Sequence, residues 1–263
     1  MRLLRCAFVL LGICLTSPVF AKMVAKPVEW KLDGTTFKSV LVYDDAVAAK
    51  RPGLVMVPNW YGLNDTAVAK AKMIAGKDYV ILLTDMYGAG VRPKSDDDAK
   101  TAVAPLYHDR NLMRSRVSKA FEQLKAEAAN APIDPSRLAA IGFCFGGAAV
   151  LDLARTGSDV KAVVAFHGDL STDDPALAAK IKARVLAMNG ADDTLTMPQV
   201  PEFTKAMQQD PADWQFVEIG HVVHCFTETE ATAKTGVCRY DAKAAARSYR
   251  MMHGWLAESF APH

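Results

Sequence analysis

An excess of charge of either sign is what this sequence most lacks: 31 lysines and arginines face 29 aspartates and glutamates over 263 residues. Two of the cations, Arg2 and Arg5, precede any acid, and without them the formal charge falls from +2 to zero. A chain with no basic face has nothing to neutralise phosphates, so nucleic acid is excluded as a partner. Internal repeats, low-complexity tracts and interdomain linkers are also missing, which argues against an array or a multidomain chain. Metal-ligand spacing is absent too. His221 and His224 lie three apart, but no acid or cysteine set completes a site, so neither a metal nor a cofactor is expected.

Long apolar runs are scarce, and the most prominent stands at the start. "MRLLR" is a short basic opening, and "CAFVLLGICLTSPVF" after it is too short for a typical spanning helix. Val19 and Ala21 supply small residues where a cleavage site needs them. Residues 1–21 are therefore expected to be a signal peptide, and residues 22–263 one domain that works in the periplasm or outside the cell. A retained anchor is the alternative. Lipidation of Cys14 is disfavoured, because Ile13 stands where a small residue is required. No membrane association is expected once the leader is removed.

Cysteine is sparse as well. Past the leader only Cys144, Cys225 and Cys238 remain, and an odd number in an exported chain suggests one pair and one free thiol. Cys225 and Cys238 flank a polar, glycine-containing loop and are expected to pair in an oxidising compartment, the alternative being three reduced thiols.

What is present is a regular alternation of strand-like and helix-like segments. "VEWKLDG" and "TTFKSVLVYDD" read as a hairpin, and "PGLVMVPNW" and "YVILLTDMYG" as strands buried on both faces. Between the last two, "NDTAVAKAKMIAGKD" has a cap in Asn64 or Asp65 and apolar residues at helical spacing. "VRPKSDDDAK" reads as a solvated surface loop. Then follow a helix through "RNLMRSRVSKAFEQLKAEAA", a strand "RLAAIGF" and a helix "GGAAVLDLART". Three more strands, "VKAVVAFHG", "RVLAMNG" and "WQFVEIG", lead to a last helix, "YDAKAAARSYRMMHGWLA", with "MPQVPEFTKAMQQ" helical between the final two strands. This order predicts an α/β fold with a mostly parallel sheet and helices on both faces.

In such sheets sites gather at the carboxyl ends of the strands. The polar residues expected there are Asn59, Trp60 and Tyr61, then Asp85 and Tyr87, Cys144, His167 and Asp169, Asp192 and Asp193, and finally His221 and His224. "GFCFG" places Cys144 in the Gly-x-nucleophile-x-Gly form of a strand–turn–helix elbow. The glycines keep side chains out of a tight crossing, and the following helix favours a thiolate and presents the Phe145 N–H to an oxyanion. Alone, the motif also suits a cysteine packed where strand meets helix. An acid in "NGADD", Asp193 with Asp192 as the fallback, could fix the tautomer of an imidazole from "GHVVHCFTE". Nucleophile, acid and histidine then occur in the chain order of α/β-hydrolases, with Cys144, Asp193 and His224 as the expected catalytic set.

These segments resemble the dienelactone hydrolase family, over about residues 37 to 260. "GLVMVPNWYGLND", "YVILLTDMYGAG", "IGFCFGG", "NGADD" and "VHCFTE" carry the likeness, and the last favours His224 over His221. The resemblance implies an α/β-hydrolase fold and a cysteine nucleophile. Well-studied members carry a glutamate, facing the resting cysteine, where this chain has Asn59, so His224 is expected to take the thiol proton directly. The arginines with which those members hold an anionic lactone have no counterpart. Ala89 follows "DMYG", and Glu228, four residues after His224, is expected to repel an anion.

The expected activity is hydrolysis of a small ester or lactone through an acyl-enzyme on Cys144. Trp60 and Phe145 would supply oxyanion-hole N–H groups, and Asn59, Tyr61, Tyr87 and Phe226 would line the substrate pocket. The chain is expected to be a monomer or a weak homodimer. Two other readings keep the fold: a thiol-based redox enzyme or sensor using Cys144, and a lapsed enzyme that binds a small apolar ligand.

Overall fold

In a computed structural model of the chain, residues 23–209 and 212–262 are described, and the expected signal peptide lies outside them. β1 (Met23–Leu32) and β2 (Thr35–Asp44) form an antiparallel hairpin that turns at Asp33 and Gly34, both at positive φ. The other strands are β3 (Arg51–Val57), β4 (Val80–Leu83), β5 (Ile133–Phe143), β6 (Ala162–Phe166), β7 (Arg184–Gly190) and β8 (Trp214–Ile219). The helices are α1 (Asp65–Ala75), α2 (Asp96–His108), α3 (Arg110–Glu127), α4 (Phe145–Arg155), α5 (Val200–Met207) and α6 (Ala242–Ser259). Sheet order is β1-β2-β4-β3-β5-β6-β7-β8; β3 through β8 run parallel to one another, and β2 meets β4 antiparallel.

The two-residue period of the strands sorts their side chains between two cores. Val55 and Val57 of β3 join Leu82, Ala140 and Ala165 against α3 and α4. Leu54 and Met56 join Ile81, Leu83, Ile141 and Phe143 against α1 and α6. All four of these β3 side chains are fully buried, each contributing about 1.5–3 kcal/mol, which explains the unbroken apolar run "LVMV".

One segment departs from the sequence reading. Residues 94–98 are exposed as expected, but Ala99 is buried, and Asp96, Asp97 and Asp98 form the first turn of α2. The Ser95 hydroxyl accepts the Asp98 N–H at 3.2 Å, and three carboxylates at the positive end of the helix are favourable there. Pro105, inside the last turn, masks the helix from a propensity reading.

Candidate active site

At the end of β5 the chain reverses within one residue. Cys144 takes φ 51° and ψ −116°, a conformation costing about 1–3 kcal/mol that only tight surroundings maintain. Those surroundings are backbone. A Cβ on Gly142 would lie 2.0 Å from the Gly146 carbonyl oxygen, and one on Gly146 would lie 2.1 Å from that of Val57. The Cys144 N–H donates to the Phe166 carbonyl at 3.0 Å, tying the turn to the next strand. Phe145 opens α4, so its N–H belongs to the first turn, where helices leave donors without internal acceptors.

Asp193 is fully buried three residues beyond the end of β7. Its Oδ1 accepts the Leu195 N–H at 3.0 Å, and its Oδ2 accepts the Thr196 hydroxyl at 2.7 Å. Asn189 donates to Thr196 at 2.7 Å and so braces the carboxylate from behind. The loop after β8 lies directly across Gly190, where a Cβ would meet the Val222 carbonyl oxygen at 2.2 Å. That approach brings His224 into place. Its Nδ1 is 2.7 Å from Asp193 Oδ2 and its Nε2 is 3.1 Å from Cys144 Sγ. A Cys225–Cys238 disulfide follows the histidine, and the Arg239 N–H donates to the His224 carbonyl at 3.0 Å.

Burial opposes ionisation of the Cys144 thiol, but the neighbouring His167 and His224 imidazoles prevail and hold its pKa well below the ordinary thiol value. Burial likewise opposes a charged His224, yet Asp193 and Cys144 raise the imidazole far above its ordinary value. The Asp193 carboxyl is held low despite its burial, chiefly by His224. Both directions favour transfer of the thiol proton to the imidazole, with the carboxylate behind it.

Other expected residues lie elsewhere or have different partners. His221 and Asp192 are exposed and belong to no such chain of contacts. Asn59 is engaged at both ends of its amide, accepting the Tyr61 N–H at 3.0 Å and donating to Glu228 at 2.6 Å, and so braces the turn after β3. The Tyr61 hydroxyl donates to Asp96. Tyr87 is buried, stacks on Phe145 and donates to the Trp60 carbonyl at 2.8 Å, which fixes that turn. Phe226 departs from its expected place on the pocket wall. It is fully buried, packed with Ile219, Val222 and Ala244 and edge-on to His167, because the disulfide loop folds it into the core. Glu228 also departs from expectation: it is buried in an ion pair with Lys70 at 2.6 Å and presents no free charge to a substrate. Burial resists that charge, but Lys70 and His167 hold the Glu228 carboxyl well below the usual range.

Sequence reasoning missed Lys70, Thr196, Asn189, Thr227 and the place of His167. Lys70 reads as one more helix-surface cation, and only its 4.3 Å approach to the Phe143 ring and its pairing across the fold mark it. Among the described residues no group of three or more histidines, cysteines and acids is placed to hold a metal.

Sheet order, elbow and carboxyl-end loops together define an α/β-hydrolase. A family model for the dienelactone hydrolase family matches residues 37–260, and the chain belongs to that family of ester and lactone hydrolases. It is 34% identical to a dienelactone hydrolase-like promiscuous phosphotriesterase from metagenomic libraries, covering 92% of this chain and 100% of that one at a TM-score of 0.85. A "Probable 2-oxo-3-(5-oxofuran-2-ylidene)propanoate lactonase" of Bradyrhizobium is 27% identical over 212 residues, 76% of this chain and 84% of the relative. The dienelactone hydrolase of Anabaena variabilis shares the fold at 19% identity and a TM-score of 0.65, covering 90% of this chain and 98% of that one.

Proposed function

We propose that the protein hydrolyses small, uncharged esters or lactones through a thioester on Cys144. The observation that carries this is the continuous contact from Asp193 through His224 to the sulfur, at 2.7 and 3.1 Å, on a backbone turn built for an exposed nucleophile. The thiolate attacks the carbonyl carbon and forms the S–C bond. The oxyanion is received by the N–H groups of Phe145 and Trp60. His224, carrying the thiol proton, gives it to the leaving alkoxide as the C–O bond breaks. The neutral imidazole then takes a proton from water, whose oxygen attacks the thioester, and the thiol leaves with that proton returned to it. Asp193 keeps Nδ1–H directed, so Nε2 is the nitrogen that takes and gives the proton.

An uncharged substrate follows from the surroundings. Tyr87 and Phe145 are aromatic and stacked beside the thiol, with Tyr107 edge-on to Phe145, and the nearby Glu228 carboxylate is matched by Lys70. The Cys225–Cys238 pair supports a working place in an oxidising compartment, in keeping with the leader read at residues 1–21. Short 4-nitrophenyl esters and a lactone panel test the reading. Cys144→Ala is expected to lower turnover to the uncatalysed background. A folded Cys144→Ala protein as active as the wild type would refute it.

A further inference from the structure

His167 takes no part in the chain from Asp193 to Cys144, yet it is wholly buried against it. It follows β6 directly at a positive φ of 39°, and its N–H donates to the Met188 carbonyl at 2.8 Å. Its ring lies 5.0 Å from that of His224, edge to face. A buried imidazole in a left-handed conformation at a strand end is an expensive choice where an apolar residue would pack.

The protons around it determine its tautomer. Lys70 holds Glu228 as a carboxylate at 2.6 Å. The Thr227 hydroxyl donates its one proton to Glu228 Oε1 at 3.2 Å. Its oxygen, 2.7 Å from His167 Nε2, can therefore only accept, so Nε2 carries the hydrogen. The neutral ring is then left with a bare Nδ1. That atom is buried and has no hydrogen-bond partner, in a ring packed against that of His224, whose own Nε2 is 3.1 Å from the Cys144 sulfur.

We propose that His167 is a second imidazole serving the Cys144 thiol: a positioning residue, braced by Thr227 and Glu228, whose Nδ1 shares the thiol proton with His224. The thiol would stand between two carboxylate-backed imidazoles, one backed by Asp193 and the other by Glu228, whose Oε1 is 3.4 Å from His167 Nε2 beside the Thr227 hydroxyl. In the resting state the S–H proton moves to Nδ1 of His167 or to Nε2 of His224, leaving the sulfur anionic in either case. This rests on Cys144 being the nucleophile. The other ionisable groups facing the pair are Tyr87 and Tyr107 beside the thiol, and Tyr249 of α6 against Thr227. All three are phenols held neutral by burial, so none competes for the proton near neutral pH.

The test is the pH midpoint of Cys144 alkylation by iodoacetamide, which reads the thiol without requiring turnover. His167→Gln, whose amide can still reach Thr227, is expected to raise the midpoint by at least one pH unit. It should also raise the acidic limb of the kcat/KM profile for a 4-nitrophenyl ester. His224→Gln is expected to lose hydrolysis but keep a midpoint at least one unit below that of the His167→Gln/His224→Gln double variant. The proposal is overturned if folded His167→Gln titrates with the wild type, or if His224→Gln and the double variant titrate together. If His167→Gln folds poorly, His224→Gln alone still decides: a midpoint at or above the ordinary thiol value of about 8.5 would overturn the proposal. Hydrolysis by Cys144→Ala would instead sink the nucleophile reading, whatever the alkylation results.

Discussion

Replacing Lys70 with methionine removes one charge from a buried pair and leaves the aliphatic stem in place. Lys70 and Glu228 are 8% and 5% exposed at their side chains and 2.6 Å apart, so solvent screens them little. Deleting one partner of a buried pair costs about 3–5 kcal/mol, because the other charge is stranded. Glu228 keeps the bonds from Asn59 and Thr227, which favours the lower end. For a domain of this size about 3 kcal/mol corresponds to a melting temperature lower by roughly 6–12 °C. The pH dependence gives the sharper test. In the wild type the carboxyl titrates below its unfolded value of about 4.3, so the stabilisation is fully present above that value and is lost as pH falls toward the folded pKa. In Lys70→Met burial dominates, the folded pKa rises above about 4.3, and stability is lost as pH climbs through that range. The gap in melting temperature should therefore be widest near pH 7, narrower near pH 4, and smaller still as pH falls toward the folded pKa of the wild-type carboxyl. Lys70→Met/Glu228→Gln should recover at least about 1 kcal/mol at neutral pH, since the stranded charge is gone. Calorimetry across that pH range decides the matter. A gap that stays constant with pH, or a variant as stable as the wild type at pH 7, would refute the buried-pair account.

Gly146→Ala should fail to give native protein, because its Cβ would press on the Val57 carbonyl oxygen at 2.1 Å and no flexible side chain can yield. Soluble yield and melting temperature test this, and native-like values for both would contradict the elbow geometry. Cys225→Ser/Cys238→Ser should lose about 2–3 kcal/mol, given the 13-residue separation, and lower kcat more than it raises KM as the His224 loop loosens. Denaturant melts and steady-state kinetics check it, and unchanged stability and kcat would show that the loop is held without the bridge.

Much of the fold is legible because the signals are local. Buried parallel strands write themselves as apolar runs such as "GLVMV", and a nucleophile elbow requires glycines at fixed offsets from Cys144. The disulfide followed from counting thiols. Helix α2 was hidden for a local reason too, since an acidic run serves equally well in a solvated loop and in the first turn of a helix. Phe226 was misplaced because an aromatic beside a catalytic loop has the same sequence signature on a pocket wall and in the core beneath it.

What the sequence could not reveal is pairing at a distance. Asn59 reads as a lost carboxylate and Glu228 as an ill-placed one, two separate departures 169 positions apart. The fold brings them within 2.6 Å, with Lys70 from a third element supplying the opposite charge. A carboxylate is therefore present behind the thiol, carried on the loop of the histidine instead of the turn after β3. Its charge acts on the sulfur side by way of His167, whose Nε2 is 2.7 Å from the Thr227 hydroxyl and 3.4 Å from Glu228 Oε1. A carboxylate touching a thiol directly would repel the thiolate. One placed behind an imidazole favours the cation beside the sulfur and so stabilises the same thiolate. The change at Asn59 thus alters the sign with which a buried acid acts on Cys144, and for that reason the pH midpoint of Cys144 is the quantity most sensitive to how this site is built.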